Sequence, residues 1–178
     1  MELRLYAEDA SNNYMPATGK IELFDMPKVD GLRIESGIES GSEISLFYDP
    51  MIAKIIVHGN TRDEAFRKMQ YALEHTKCLG VTTNQDFLLD LVKNEKVQSG
   101  DYHTKFLETS YSFVKASTEN YINEALIAIS TARYTERNKY NHSLIGWRNS
   151  FYQGQWDTYQ INDVQTKVAY RTVVKTLH

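Results

Sequence analysis

A chain of 178 residues, 42% hydrophobic and 24% charged, is sized and composed for one globular domain or for one domain and part of another. Its net charge of −3 argues against a nucleic-acid binder, which carries a basic excess. The single cysteine, Cys78, excludes an internal disulfide and a multi-cysteine metal site and fits a reducing compartment, and no apolar run approaches the roughly 20 residues that span a membrane; a cytoplasmic protein with no membrane partner is expected.

The chain opens on "MELRLYAED", which has no basic-then-apolar leader pattern. Leu3, Leu5 and Ala7 alternate with polar residues, as in a strand already under way, so a piece of a longer protein is expected. Pro16 and Gly19 then punctuate a turn, and "KIELF" (20–24) follows as a short strand. "GLRIES" (31–36) alternates again, with Leu32 and Ile34 on one side and Arg33 and Glu35 on the other. "SGIESGSE" (36–43) is a turn region. "MIAKIIV" (51–57) reads as a buried strand, yet Lys54 stands at its centre. A buried lysine is costly unless paired. Either the strand has a wet face or Lys54 has a fixed partner, for which Glu8 and Asp9 are the first candidates. Tyr48-Asp49-Pro50, at the mouth of the strand, is assigned a structural role in closing the hairpin.

The period then changes. Thr61 with Glu64 is a capping box, and Ala65, Met69, Ala72 and Leu73 recur at helical spacing, which predicts an amphipathic helix over 62–77. Gly80 breaks it. Thr83 or Asn84 caps a second helix that buries Phe87, Leu88, Leu91 and Val92. A third helix runs from about Ser117 or Thr118 to about Arg137 on Ile122, Ala125, Leu126, Ile129 and Arg133. After the polar loop "NKYNHS" (138–143), the chain from Trp147 onward is aromatic and β-like, with Val168, Tyr170, Thr172 and Val174 on one face. The fold class is α+β: an antiparallel sheet with helices, then a long helix and the start of a small β domain. The expected division is 1–112, a helical linker over 113–142, and an incomplete β domain over 143–178.

Few residues stand out as chemistry on pattern alone. Gly37 and Gly41 form neither a dinucleotide fingerprint nor a phosphate loop. The five histidines lack metal-ligand spacing, so no metal site is expected in this chain. Trp147, Phe151, Trp156 and Tyr159 fit an aromatic core or a protein contact better than a base-stacking surface. Arg33, by pattern, is an exposed strand arginine beside Glu35.

The words of the sequence carry more. "RLYAED" (4–9), "MPATGKI" (15–21), "GLRIESGIESGSEISLFYDPMIAKIIVHGNTRDEAFRKMQYAL" (31–73), "GVTTNQDFL" (80–88) and "HTKFLE" (103–108) occur in this order. Together they closely resemble the C-terminal domain of biotin carboxylase, the ATP-grasp component of biotin-dependent carboxylases, over about residues 1–110. Two departures are Ala10, where the family has Pro after Ala-Glu-Asp, and Lys105, where it commonly has Gly. Lys68-Met69 approaches the Met-Lys-Met triplet of biotin-bearing lysines, but Arg67 in place of the first Met breaks it, and Met69 belongs to a helix core face. The helix and aromatic strands that follow resemble the linking region of acyl-CoA carboxylase alpha subunits.

The resemblance implies a ligase. ATP activates bicarbonate to carboxyphosphate, and the released CO2 is captured by N1 of biotin. It matches Arg33 to the arginine at the biotin ureido group, where a fixed cation stabilises charge developing on the ureido oxygen. It places Thr104 and Lys105 at the rim of the adenine pocket, although a polar loop before a helix explains them as well. It places His58 to Arg62 near a subunit contact, so the full enzyme is expected to be a homo-oligomer. The ATP-grasp domain, with its Mg-binding residues, is expected upstream of Met1, and the biotinyl lysine, on a carrier domain, downstream of His178. A carboxyltransferase subunit is the further expected partner. The chain is expected to be inactive alone. The alternative is a non-catalytic assembly module that docks a partner subunit.

Overall fold

The computed structural model describes residues 1–115, 121–138, 155–161 and 164–170, and the chain divides into two units, 1–115 and 116–178. In the first unit the strands are β1 (Glu2–Tyr6), β2 (Glu8–Asp9), β3 (Met15–Pro16), β4 (Gly19–Lys20), β5 (Leu23–Asp25), β6 (Leu32–Ser36), β7 (Glu43–Ile44), β8 (Met51–Val57) and β9 (Lys77–Leu79). Its helices are α1 (Arg62–His75), α2 (Gln85–Lys93), α3 (Glu95–Ser99) and α4 (Phe106–Thr109). The expected α+β class holds.

The three longer strands form one antiparallel sheet in the order β1-β8-β6. Register decides which residues are dry. Leu3, Ile55 and Ile34 lie opposite one another across the three strands, as do Arg4, Lys54 and Glu35. Successive side chains on a strand point to opposite faces, so the first row faces inward and the second faces out. Ile55 is fully buried, while Lys54 is only half-buried. A register shift between Leu5 and Tyr6 marks a bulge at the end of this ladder. Gly31 seats β6: its φ is +78°, and a Cβ there would lie 2.7 Å from the His58 carbonyl oxygen. The His58 N–H in turn donates to the Gly31 carbonyl at 2.8 Å.

The dry face is closed by helices. Helix α1 places Phe66, Met69, Ala72 and Leu73 in the core with Leu5, Ile21, Ile52, Ile55 and Val57, and α2 adds Phe87, Leu88 and Val92. Full burial of each large side chain contributes about 1.5–3 kcal/mol. The start of α1 follows its capping signal: Thr61 Oγ1 accepts from the Glu64 N–H at 3.2 Å, and Glu64 Oε2 accepts from the Asn60 N–H at 2.8 Å. The helix stops two residues earlier than its periodicity predicts, because Lys77–Leu79 leaves to pair with β5. Asn84 stands at the N-cap of α2, but its side chain serves β1 instead, accepting from the Tyr6 N–H at 2.9 Å. Gln85 Nε2 donates to the Leu73 and Thr76 carbonyls at 2.8 and 3.0 Å, satisfying the end of α1.

The later part of this unit is tied down by aromatic contacts. Phe87 meets Tyr14, Tyr111 and Phe113 edge-on, with centroids 5.5, 5.9 and 5.7 Å apart. The Tyr111 hydroxyl donates to Asp90 of α2.

In the second unit, α5 (Ile122–Asn138) is followed by a two-stranded antiparallel ribbon of β10 (Gln155–Ile161) and β11 (Val164–Tyr170). Helix α5 buries Leu126 and Ser130, and Arg133 sits 5.2 Å over the Tyr159 ring. The expected helix start at residues 117–118, the loop from residue 139, Trp147, Phe151, Thr172 and Val174 lie outside the described residues.

Two outcomes are expected. At Gly80 φ is +111° and a Cβ would lie 2.1 Å from the Lys20 carbonyl oxygen, so Gly80→Ala should cost about 1–3 kcal/mol in urea unfolding. An unchanged midpoint would show that the turn after β9 can relax. Burial, and then the hydrogen bond to Asp90, push the Tyr111 phenol above the ordinary tyrosine range. A raised folded-state value adds stability below the ordinary tyrosine pKa and loses it as pH rises through the raised one. Ultraviolet titration should therefore show a late-ionising tyrosine that moves back toward the usual range in Asp90→Asn.

Candidate functional site

Arg33 stands on the outward face of β6, directly opposite Ile56. The strand's alternation puts it there: Leu32 and Ile34 pack toward the core, and Arg33 and Glu35 point away. Its side chain is 70% exposed, and its Nη2 lies 3.3 Å from Glu35 Oε1. An i,i+2 pair on one strand face holds the guanidinium upright without covering it. The rest of its donor fork is open to an incoming acceptor.

The same face carries more charge. Lys54 lies between Arg4 and Glu35 in the ladder, and Arg4 Nε is 3.5 Å from Glu2 Oε1. The result is a band of mixed charge across three strands, in which Arg4 and Lys54 stand opposite each other and Arg33 lies at one edge. This settles the question of Lys54 and corrects the expectation for its partner. Its half-buried position comes from lying along a wet sheet face, where the apolar stem of a lysine packs and its ammonium reaches water. The carboxylate across the ladder is Glu35, not Glu8 or Asp9, and among the described residues Lys54 makes no ion pair. Asp9 accepts instead from the Ser11 N–H at 3.0 Å and from the Ser11 hydroxyl, and the hydroxyl bond holds its carboxyl below the ordinary range.

Thr104 and Lys105 occupy the exposed turn that enters α4. The Lys105 N–H donates to His103 Nδ1 at 3.2 Å, and its carbonyl accepts from the Thr109 hydroxyl at 3.0 Å. No hydrogen bond or ion pair joins these residues to Arg33 among the described residues. Two open hollows, of about 500 and 350 Å3, lie beside Met26–Asp30 and beside Thr76–Leu79. Neither is lined by Arg33, Thr104 or Lys105. The Arg33 face is therefore an open half-surface.

Arg62 is committed within the chain. Its Nε and Nη2 donate to the Gln98 and Val97 carbonyls at 2.8 and 2.7 Å, and its guanidinium lies 4.9 Å from the Phe66 ring centroid. Lys68 is likewise engaged, by Glu64 at 2.9 Å and the His58 carbonyl at 3.1 Å. One feature went unread in the sequence. Leu46, Phe47 and Tyr48, which precede β8, stand 73%, 97% and 85% exposed. Tyr48 therefore lacks the structural duty expected of it, while Asp49 and Pro50 fill theirs: Asp49 Oδ1 accepts from the Met51 N–H and the Pro50 carbonyl accepts from the Ala7 N–H, both at 2.9 Å.

Residues 2–109 match the biotin carboxylase C-terminal domain. The chain belongs to that family. It is 43% identical over 112 residues to the propionyl-CoA carboxylase alpha chain, mitochondrial, of Caenorhabditis elegans, covering 62% of this chain and 16% of that one. It is 42% identical over 109 residues to biotin carboxylase 1 of Bacillus subtilis, covering 61% of this chain and 24% of that protein. Among solved structures, the biotin carboxylase domain of Hydrogenobacter thermophilus 2-oxoglutarate carboxylase, in complex with MgADP, ADP and bicarbonate, superposes with a TM-score of 0.61. The two are 32% identical, over 64% of this chain and 26% of that one. This biotin carboxylase C-terminal domain thus spans about a quarter or less of the relatives it matches. No helix among its described residues is long and apolar enough to cross a membrane.

Arg33 has no role in the packing of this domain. Arg33→Ala is expected to change the unfolding free energy by no more than about 0.5 kcal/mol, and the Arg33–Glu35 coupling in a double-mutant cycle should be about 0.2–1 kcal/mol. A larger value from denaturant unfolding would assign the pair a structural role.

Proposed function

We propose that this chain is the C-terminal part of the biotin carboxylase subunit of a biotin-dependent acyl-CoA carboxylase, and that Arg33 is its biotin-side catalytic residue. One observation carries the reading. In a chain of this family, Arg33 is an exposed guanidinium on the outward face of β6, 3.3 Å from Glu35 and with most of its donor fork open.

Biotin fits such a group through its ureido carbonyl, a planar acceptor that the free edge of the fork can meet. Bound biotin supplies the ring nitrogen that takes up the carboxyl group. Arg33 would hold the ureido oxygen and stabilise negative charge that develops there. A guanidinium suits this role because its planar donor fork matches a planar acceptor. Glu35 lies beside the fork, 3.3 Å from Nη2. ATP and Mg2+ are proposed for the whole enzyme, with Thr104 and Lys105 at the nucleotide rim and the metal held outside this chain. We infer the further partners as an ATP-grasp portion, a biotin carrier domain and a carboxyltransferase subunit. The half-buried thiol of Cys78 fits a reducing, cytoplasmic compartment.

A second reading has its own support. In α5, Tyr121 just before its start, Ile127 and Ile129 are 70%, 64% and 47% exposed, which suits an assembly module that docks a partner subunit. Under both readings residues 1–112 form the carboxylase part, 113–142 a linker and 143–178 the start of a β domain.

The test joins this chain behind the preceding three quarters of the Bacillus subtilis biotin carboxylase. Biotin-dependent ATP cleavage should fall about 100- to 1000-fold in Arg33→Ala, the loss expected on removing one such donor, and the chain alone should show none. Unchanged turnover would make Arg33 a surface residue and put the assembly reading first.

A further inference from the structure

Two lysines among the described residues are half-buried, and they are treated differently. Lys68 is held by Glu64 at 2.9 Å and by the His58 carbonyl at 3.1 Å. Lys54 has neither a hydrogen bond nor an ion pair among the described residues. Its neighbours in the ladder explain why. Arg4, a like charge, stands opposite it on one side and Glu35 on the other. Arg4 Nε engages Glu2 at 3.5 Å, and Arg33 Nη2 engages Glu35 at 3.3 Å. Each carboxylate in these two rows is thus taken by the guanidinium two residues away on its own strand, and the ammonium between them is left over. Like charges directly opposite each other on a sheet face are destabilising. An anion seated there would relieve that repulsion.

Charge and spacing say which anion. The rows Glu2–Ile56–Arg33 and Arg4–Lys54–Glu35 carry three cations against two carboxylates, which leaves one positive charge in excess. A monoanion matches that excess better than a doubly charged phosphate. Arg33 is two residues from Glu35 and is therefore the diagonal neighbour of Lys54. Diagonal neighbours lie about 7–8 Å apart, within reach of two long side chains. A small planar oxyanion can touch both, with one edge on the open donors of the Arg33 fork and an oxygen on the ammonium. Lys54 is also prearranged, because its stem packs along the sheet and less rotamer freedom is lost when its head is engaged. We propose that Lys54 and Arg33 together bind a carboxylate-type monoanion, either free, as bicarbonate, or carried by a bound substrate. Its place in catalysis rests on the carboxylase reading, while the anion site itself stands on the sheet face alone.

The experiment titrates the whole 178-residue chain, isotopically labelled at lysine and arginine, with bicarbonate and, at matched ionic strength, with chloride. The side-chain NMR signals of Lys54 and Arg33 should follow one saturating curve with bicarbonate and only drift with chloride. Phosphate should bind no more tightly than bicarbonate. Lys54→Met should weaken the Arg33 response about tenfold, the loss expected for one charge-assisted hydrogen bond, and Lys54→Arg should restore it. The unfolding midpoint of Lys54→Met should match the wild type, since the ammonium bonds nothing in the fold. In the chain joined behind the preceding three quarters of the Bacillus subtilis biotin carboxylase, Lys54→Met should raise a substrate KM about tenfold. A rise for bicarbonate assigns the free anion, and a rise for biotin alone assigns an anion carried by that substrate. Signals that respond to bicarbonate no more than to chloride would overturn the proposal, as would tighter binding of phosphate or unchanged KM values for both substrates. A joined enzyme without biotin-dependent ATP cleavage, beside intact bicarbonate binding by the chain, would instead sink the carboxylase reading and leave the anion site standing.

Discussion

The register of β8 between β1 and β6 is the constraint on which the first unit depends. Side chains on a strand alternate with a period of two, so a slip by one residue would turn Ile55 outward and Lys54 into the core. It would also rotate the face that carries Arg33. The register is pinned at one end by Gly31 against His58 and at the other by the bulge beside Tyr6. Between them, the rows Leu3–Ile55–Ile34 and Arg4–Lys54–Glu35 sort apolar from charged residues without exception.

The helices stabilise that choice. Met69 and Leu73 of α1 are wholly buried with Ile55, Leu5 and Val57, which leaves no room on the inner face for an ammonium. Asn84 and Gln85 then link the open edge of β1 to the end of α1 through side-chain bonds to the Tyr6 N–H and to the Arg4, Leu73 and Thr76 carbonyls. These two polar side chains satisfy backbone groups that would otherwise be lost at an edge strand and a helix terminus. A rigid inner face and a bare outer one follow from the same alternation. The first holds the domain together, and the second displays Arg33 and Glu35 where another surface can use them.

Much of this was legible in the sequence, for a physical reason: where a residue's neighbours are local, pattern is enough. The capping box at Thr61 and Glu64 and the alternation in "GLRIES" depend on residues within four positions of each other, and both placed their side chains correctly. The core face of α1 was readable through Met69, Ala72 and Leu73. What failed was long-range. The carboxylate opposite Lys54 is 19 residues away on a strand whose pairing no local rule specifies, so Glu8 and Asp9 looked as good as Glu35. Pairs as short as β2–β3 and β4–β7 exist only because the turns around them bring two residues together. Asn84 looked like a helix cap by type, yet its side chain bonds a strand 78 residues earlier. The role proposed for Arg33 was not in its pattern at all; it comes from the run of words shared with a family.

The account's central claim is that β8, beyond the bulge at Ile52, turns Ile55 to a dry face and Lys54 to a wetter one, with Arg33 displayed on the side of Lys54. Urea unfolding of two adjacent substitutions tests it most directly. Lys54→Ala should change stability by less than about 1 kcal/mol, and Ile55→Ala should cost about 2–5 kcal/mol, as for a buried aliphatic side chain truncated in a packed core. Equal costs, or a greater loss at Lys54, would contradict the register and with it the outward placement of Arg33.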